Sequence, residues 1–240
     1  MVERGLAESR AKAQAQVLAG QVFSGERRLD KPGQAVAPDT PLEVRTSAVP
    51  YVSRGGLKLA HGLDHFGIDP GGMVALDVGA STGGFTDVLL QRGATRVYAV
   101  DVGHGQLAWR LRSDPRVVVL EKINARHLSR EHVPEPIDLI VCDVSFISLE
   151  LALPAALALA SPTALLIALI KPQFEVGKGH VGKGGVVRDP ALHQAVCARI
   201  SRWLADDQGW RVRGVTPSPI TGPKGNREFL IAADHRPSKS

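Results

Sequence analysis

Short apolar runs recur along the chain from residue 74 onward, at Val74–Val78, Arg96–Val100, Val117–Leu120, Ile137–Cys142 and Ala164–Ile170, and stretches of helical texture separate them. That alternation predicts a parallel sheet with helices on both faces, an α/β architecture. Two further runs, Trp210–Thr216 and Glu228–Ala232, bracket a polar, glycine-containing loop and predict an antiparallel pair at a sheet edge. The first 45 residues read differently. Arg4, Arg10 and Lys12 surround a possible helix cap at Ser9, and Gly20-Gln-Val-Phe23 leads into a short, turn-rich β region. Prolines at 32, 38, 41 and 50 punctuate its end.

One apolar stretch tests the soluble reading. Leu151 to Ile170 contains no charged residue and is about as long as a membrane span. Pro154 and the Ser161-Pro162-Thr163 break are expected to divide it into a helical piece and a buried central strand, Ala164–Ile170. The first ten residues alternate charge with apolar groups, so no secretory leader is predicted. Two cysteines, Cys142 and Cys197, are too few for a disulfide framework or a structural zinc site, and a cytoplasmic setting is the natural expectation.

Composition is ordinary for a globular protein of 240 residues, with 44% hydrophobic and 22% charged side chains. Charge changes the picture more. A net charge of +5 and a pI near 9.5 favour an anionic partner, because surface lysines and arginines displace counterions from phosphates.

The strand at Leu76-Asp-Val78 runs into Gly79-Ala-Ser-Thr-Gly-Gly84. Glycines at 79, 83 and 84 let the backbone turn sharply and approach a nucleotide-like ligand, with Asp77, Ala80, Ser81 and Thr82 on the same turn. Asp101 ends the next strand, where such folds place an acid against ribose hydroxyls, and Asn124-Ala125 follow the third strand, where an adenine is expected. The spacing Gly-x-x-x-Gly-Gly departs from the dinucleotide fingerprint and lacks a P-loop lysine, which ranks S-adenosylmethionine ahead of a nicotinamide cofactor. A plain βα turn capped by acids is the structural alternative.

Ligands in open α/β sheets bind beyond the carboxyl ends of the strands, which aims Asp143 and Lys171 at one pocket. A lysine closing a fully apolar strand suits proton removal from a weakly acidic hydroxyl, although a buried Lys171–Asp143 ion pair without chemistry would look the same. Lys58 and Glu228 are weaker candidates: one reads equally as an exposed helix lysine, the other as an edge-strand charge. No histidine or cysteine spacing suggests a metal site.

Five ordered motifs carry a resemblance over nearly the whole chain: Tyr51–Leu59, Asp77–Thr86, Val100–Leu107, Cys142–Ile147 and Ile170–Glu175. In these the sequence resembles the TlyA-type ribosomal RNA cytidine 2′-O-methyltransferases. The resemblance implies a Rossmann-like methyltransferase domain over residues 54–234, an S4-like RNA-binding domain over 1–45, a linker at 46–53 and a tail at 235–240. Gly5–Gln14 is the piece that matches the S4-like helix; the Arg-Leu-Asp stretch that usually precedes it is absent, so a shortened first helix is expected. It further implies a catalytic tetrad of Lys58, Asp143, Lys171 and Glu228, S-adenosylmethionine as methyl donor, and ribosomal RNA or ribosomal subunits as partner. RNA contacts are expected from Arg4, Ser9, Arg10 and Lys12, with Arg27, Arg28 and Lys31 nearby, and from Arg54, Lys178, Lys183 and Arg188 around the pocket. Glycines at 177, 179, 182, 184 and 185 suggest a loop that closes on substrate. Relatives of this type have carried a haemolysin label, so a membrane-active protein is one competing expectation, and an RNA binder without chemistry is another.

Overall fold

Strands β4 (Val74–Val78), β5 (Arg96–Asp101), β6 (Val117–Glu121), β7 (Ile137–Cys142) and β8 (Ala160–Ile170) form where apolar residues run without alternation, because both faces of the sheet they build are covered. The structure is a computed structural model and describes residues 1–18, 21–25, 27–29, 31, 33–37, 39–44, 49–182 and 184–235; the side chains of Lys12, Ala15, Leu18, Arg28 and Lys178 lie outside that description. These five strands are parallel. Strands β9 (Trp210–Pro217) and β10 (Phe229–His235) complete a seven-stranded sheet in the order β6-β5-β4-β7-β8-β10-β9, with β10 antiparallel to both neighbours.

Side chains alternate across the sheet, so Leu76, Val78, Ile140 and Leu166 enter the core on one face while Ala75, Leu139, Val141 and Ile167 enter the core on the other. Each fully buried leucine, isoleucine or valine contributes about 1.5–3 kcal/mol. Helices α2 (Gly55–Phe66) and α3 (Gly84–Gln91) supply Leu59, Leu63, Val88 and Leu89 to the second core, and α8 (Pro190–Arg202) supplies Val196 and Ile200 to the first. Short helices α4 (Trp109–Arg112), α5 (Leu149–Ala152), α6 (Pro154–Leu157) and α7 (Pro172–Glu175) fill the connections.

The expected break at Ser161-Pro162-Thr163 is not one: β8 starts at Ala160 and passes through it. Ala160 pairs with Ile137 and the ladder resumes after four intervening residues, with Leu165 opposite Leu139. The intervening residues bulge out of register, so the missing N–H of Pro162 costs no ladder bond. The apolar stretch is therefore two short helices and a strand. Among the described residues, no helix is long and apolar enough to cross a membrane.

Met1–Pro50 and Tyr51–Ser240 are two compact units, and their boundary falls inside the segment expected as linker. The smaller holds a helix, α1 (Arg10–Leu18), and a three-stranded antiparallel sheet of β1 (Val22–Ser24), β2 (Arg27–Arg28) and β3 (Glu43–Val44) around Val17, Val22 and Leu29. It also carries a cavity of about 470 Å³ whose charged lining residues, Glu3, Arg10 and Lys31, all sit at exposed positions. Of the expected tail, His235 ends β10 and the remainder lies outside the described residues.

Candidate active site

Strand order reverses at β4, whose neighbours β5 and β7 lead away in opposite directions, and this opens a crevice at the carboxyl ends of the strands. Two cavities occupy it and share Gly79, Ser81, Asp143 and Ser145. The first, about 490 Å³, is bounded by Asp101, Val102, Asn124, Ala125, Val144 and Ile147. The second, about 350 Å³, is bounded by Arg54, Lys58, Ala80, Thr82, Gly84 and Lys171.

The floor of the first cavity is the glycine turn. Gly79 has φ +86°, and a Cβ there would lie 2.7 Å from the carbonyl oxygen of Asp143, so only glycine lets the ends of β4 and β7 come this close. Asp101 fixes the turn: its Oδ2 accepts from the Ser81 N–H at 2.8 Å and its Oδ1 from the Gly103 N–H at 2.7 Å. Ser81 itself is held at φ +48°. Asn124 lines the cavity while its Oδ1 accepts from the Arg126 N–H at 3.1 Å, capping a short 3₁₀ turn. Asp77 is placed differently. It is fully buried beneath the turn, where its Oδ2 accepts from the Thr86 N–H and hydroxyl at 2.9 and 2.7 Å, and it lines neither cavity. Burial raises its carboxyl to about 7 against the opposing Thr86 hydrogen bonds, and the nearby Asp143 and Asp101 carboxylates push the same way. Gly83 also lies back from the cavity walls, at φ +98° against Leu107 and Leu111.

Three of the four expected catalytic residues, Lys58, Asp143 and Lys171, line the second cavity, and the fourth, Glu228, is buried behind them on Lys58. Asp143 follows β7, with its N–H donated to the Val78 carbonyl at 3.0 Å. Lys171 follows β8, and its Nζ lies 2.5 Å from Asp143 Oδ1 and donates to Ser145 Oγ at 2.9 Å. Antiparallel pairing of β10 with β8 sets Phe229 opposite Ile170, which brings the residue before β10, Glu228, beside the residue after β8, Lys171. Glu228 is thus a loop residue just outside the strand in which its sequence run placed it. Lys58 arrives from the helix. It shares a face of α2 with Gly62, which packs on Ile167 and Leu230 of β8 and β10. Its Nζ donates to Glu228 Oε2 at 2.6 Å and lies 4.0 Å from Asp143 Oδ2.

Both lysines are 8% exposed and Glu228 is 2% exposed. Two buried lysines, a buried Glu228 and a half-buried Asp143 are stable only as a mutually paired set, since removing one leaves an uncompensated charge. Glu228 Oε1 has no hydrogen-bond partner among the described residues and faces Gly222, where any Cβ would land on it.

Neighbours to which the sequence analysis gave no role complete the site. Glu175, after Lys171, accepts from Ser148 Oγ at 2.7 Å, from the Leu149 N–H at 2.8 Å and from Arg199 at 2.8 Å, tying the loop after β7 to the turn after β8. Gly222 has an ordinary extended backbone, so only the folded approach of Glu228 reveals why glycine stands there. Among the expected RNA contacts, Arg54 and Arg188 are exposed in this unit, Lys183 lies outside the described residues, and only the backbone of Lys178 is described. In the smaller unit Arg4, Ser9 and Arg10 are exposed, with Arg4 Nη1 donating to the Thr40 carbonyl at 2.6 Å. Among the described residues no group of three histidine, cysteine, aspartate or glutamate side chains is placed to hold a metal.

An adenosine-sized cradle walled by apolar and polar groups, meeting a buried lysine–acid cluster at Gly79 and Asp143, fits a donor such as S-adenosylmethionine with its reactive end at the shared wall. Comparison with known proteins points the same way. Residues 51–235 match the FtsJ-like methyltransferase family. The 16S/23S rRNA (cytidine-2′-O)-methyltransferase TlyA of Mycobacterium tuberculosis is 51% identical over 232 residues, 96% of this chain and 86% of that protein. A solved structure from Streptococcus thermophilus, provisionally named a hemolysin, is 42% identical and superposes with a TM-score of 0.79 over 98% of this chain and 86% of that one. A SAM dependent methyltransferase from Aquifex aeolicus, 22% identical, shares the fold with a TM-score of 0.50 over 76% of this chain and 94% of its own. With the match spanning the entire larger unit and half the residues identical to TlyA across almost the whole chain, this protein belongs to the FtsJ-like methyltransferase family, among its TlyA-like members.

Proposed function

We propose that the protein transfers a methyl group from S-adenosylmethionine to the 2′-hydroxyl of a ribose in ribosomal RNA, at cytidine as in its TlyA relative. The observation that carries the reading is the buried Lys58–Glu228 and Lys171–Asp143 pairing at the mouth of the nucleotide cradle. When bound, the donor supplies a sulfonium-activated methyl. The protein supplies alignment and electrostatics.

The substrate ribose enters the second cavity with its 2′-oxygen at Lys171. Lys171, held by Asp143 and Ser145, stabilises negative charge on that oxygen as the new O–C bond forms and the S–C bond breaks, and the Lys171–Asp143 pair receives the displaced proton. Lys58, fixed by Glu228 on the other side of the Asp143 carboxylate from Lys171, steers the ribose or its phosphate. A nucleotide reaches this depth only when unpaired or flipped from its helix. The smaller unit, read as S4-like, contributes Arg4, Ser9, Arg10 and Lys12 to RNA capture, and a protein acting on ribosomal RNA or subunits works in the cytoplasm.

The decisive experiment is transfer of radiolabelled methyl from S-adenosylmethionine to ribosomal subunits and naked ribosomal RNA, with Lys171→Ala beside the wild type. Label is expected in ribose, reduced about 10²-fold or more in the variant, with donor affinity changed only a few fold. Equal loss of donor binding and turnover would overturn Lys171 as the catalytic group; no ribose label from the wild type on any RNA would overturn the reaction.

A further inference from the structure

Among the described residues of the larger unit, eight arginines are matched to acids, one of them Arg110 with Asp87. Arg92 pairs with Asp64, Arg96 with Glu135, Arg112 with Glu121, Arg116 with Asp114, Arg199 with Glu150 and Glu175, and Arg211 and Arg213 with Asp234. Arg54, Arg188, Lys224 and Arg227 are exposed and, among the described residues, have no carboxylate within ion-pair distance. These four line two adjoining hollows that lead away from the catalytic cluster. One, about 350 Å³, is bounded by Arg54, Lys58, Thr221, Gly222 and Lys224; the other, about 290 Å³, by Arg188, His193, Lys224 and Arg227. Lys58 belongs to the first and Lys224 to both, and neither lining contains an aspartate or glutamate. The neighbouring Asp189 is occupied in capping α8, accepting from the Ala191 N–H at 2.8 Å.

Lys224 is held in this place at a conformational cost. It adopts φ +58°, left-handed for a residue with a side chain, inside the turn that Gly222 begins and Gly225 (φ +82°) ends. The buried Asn226 secures that turn to the segment carrying Arg188: its Oδ1 accepts from the Val187 N–H at 3.1 Å and its Nδ2 donates to the Gly185 carbonyl at 2.9 Å. One loop, tied down by Asn226, thus leaves room for Glu228 at Gly222 and exposes Lys224 and Arg227.

We propose that this line of cations, Arg54, Lys224, Arg227 and Arg188, binds successive backbone phosphates of the RNA strand on one side of the methylated nucleotide, and that this flanking segment is bound as a single strand. The inference rests on the methyl-transfer reading for its starting point at Lys58. Two separate hollows joined at a shared lysine track a flexible backbone, and their chemistry is phosphate recognition without base readout.

The test uses the full chain with Lys224→Gln and Arg227→Gln combined, beside a control with Lys122→Gln and Arg202→Gln, two exposed cations that line neither hollow. The probe is a fluorescein-labelled single-stranded RNA of mixed sequence, titrated at several salt concentrations, with methyl transfer to ribosomal RNA measured in parallel. Each single-strand phosphate contact contributes about 0.7 to the slope of log K against log salt, so the double variant is expected to lose roughly 1.4 in slope while the control loses none. Its KM for ribosomal RNA should rise about tenfold or more with kcat within twofold, and S-adenosylmethionine affinity should stay unchanged. An unchanged slope and KM in a variant that still binds S-adenosylmethionine overturns the phosphate path. If the slope falls although the wild type methylates no RNA, the path stands and the reaction reading fails.

Discussion

Glu228 has exacting surroundings, because its carboxylate has no exposed side-chain surface, accepts from Lys58 on one oxygen and lies with the other where any Cβ on Gly222 would stand. Gly222→Ala should push Glu228 off Lys58 and cut ribose methylation by about 10²-fold while S-adenosylmethionine still binds, a combination that parallel turnover and calorimetric titrations would reveal. Glu228→Gln keeps an acceptor for Lys58 but leaves its charge uncompensated; breaking a buried pair this way costs about 3–5 kcal/mol, which thermal denaturation would register as a lowered Tm. Asp77 works in the opposite sense. Its carboxyl holds a proton up to about pH 7, whereas in the unfolded chain it gives that proton up near the ordinary aspartate value of 3.8. Between those two values the folded state binds a proton that the unfolded state lacks, so this group makes stability fall as pH rises, and the fall ends above pH 7. Asp77→Asn should flatten that part of a Tm-against-pH curve, by at most ~1.4 kcal/mol per pH unit, and leave the curve above pH 7 parallel to the wild type.

At the scale of elements, the site depends on two loops kept in step. Glu175 joins the loop after β7 to the turn after β8, so Glu175→Ala should let Asp143 and Lys171 separate, lowering kcat about tenfold or more with little change in S-adenosylmethionine affinity; Glu175→Gln should rescue part of the loss. The five parallel strands were readable from sequence within a residue or two because apolar runs buried on both faces have few alternatives. β8 was the exception: Pro162 reads as a break until pairing shows that a bulge spares its missing N–H. Asp143 and Lys171 were readable for the same reason as their strands, each being the polar residue that ends an apolar run. Lys58 and Glu228 were not, since a helix lysine and an edge acid acquire meaning only from β10 lying next to β8 and α2 packing across both. Lys58 lies in one of the five motifs, Tyr51–Leu59, whereas Glu228 lies in none and came only from the tetrad that the resemblance implies. Glu175 closes the Ile170–Glu175 motif but, like Gly222 and Asn226, carries no local sign of its role: Glu175 and Asn226 hold segments 26 and 39 residues away, and Gly222 answers to the fold that turns Glu228 onto it.

For the whole molecule, the division at Pro50 and Tyr51 coincides with the start of the family match, which assigns the chemistry to the larger unit. A chain of residues 51–240 should retain S-adenosylmethionine affinity within a few fold and lose most of its affinity for ribosomal RNA, as equilibrium binding to each would show. The order of the sheet has a different consequence for how the enzyme comes into being. β10 is the last of the described strands to be made, yet it lies inside the sheet between β8 and β9, and Glu228 enters the site with it. Until that strand emerges, β8 presents an unpaired apolar edge, a template for wrong pairing with other chains. A chain lacking β10 is therefore expected to be both aggregation-prone and catalytically silent, and methylation to wait until β10 has emerged and paired with β8.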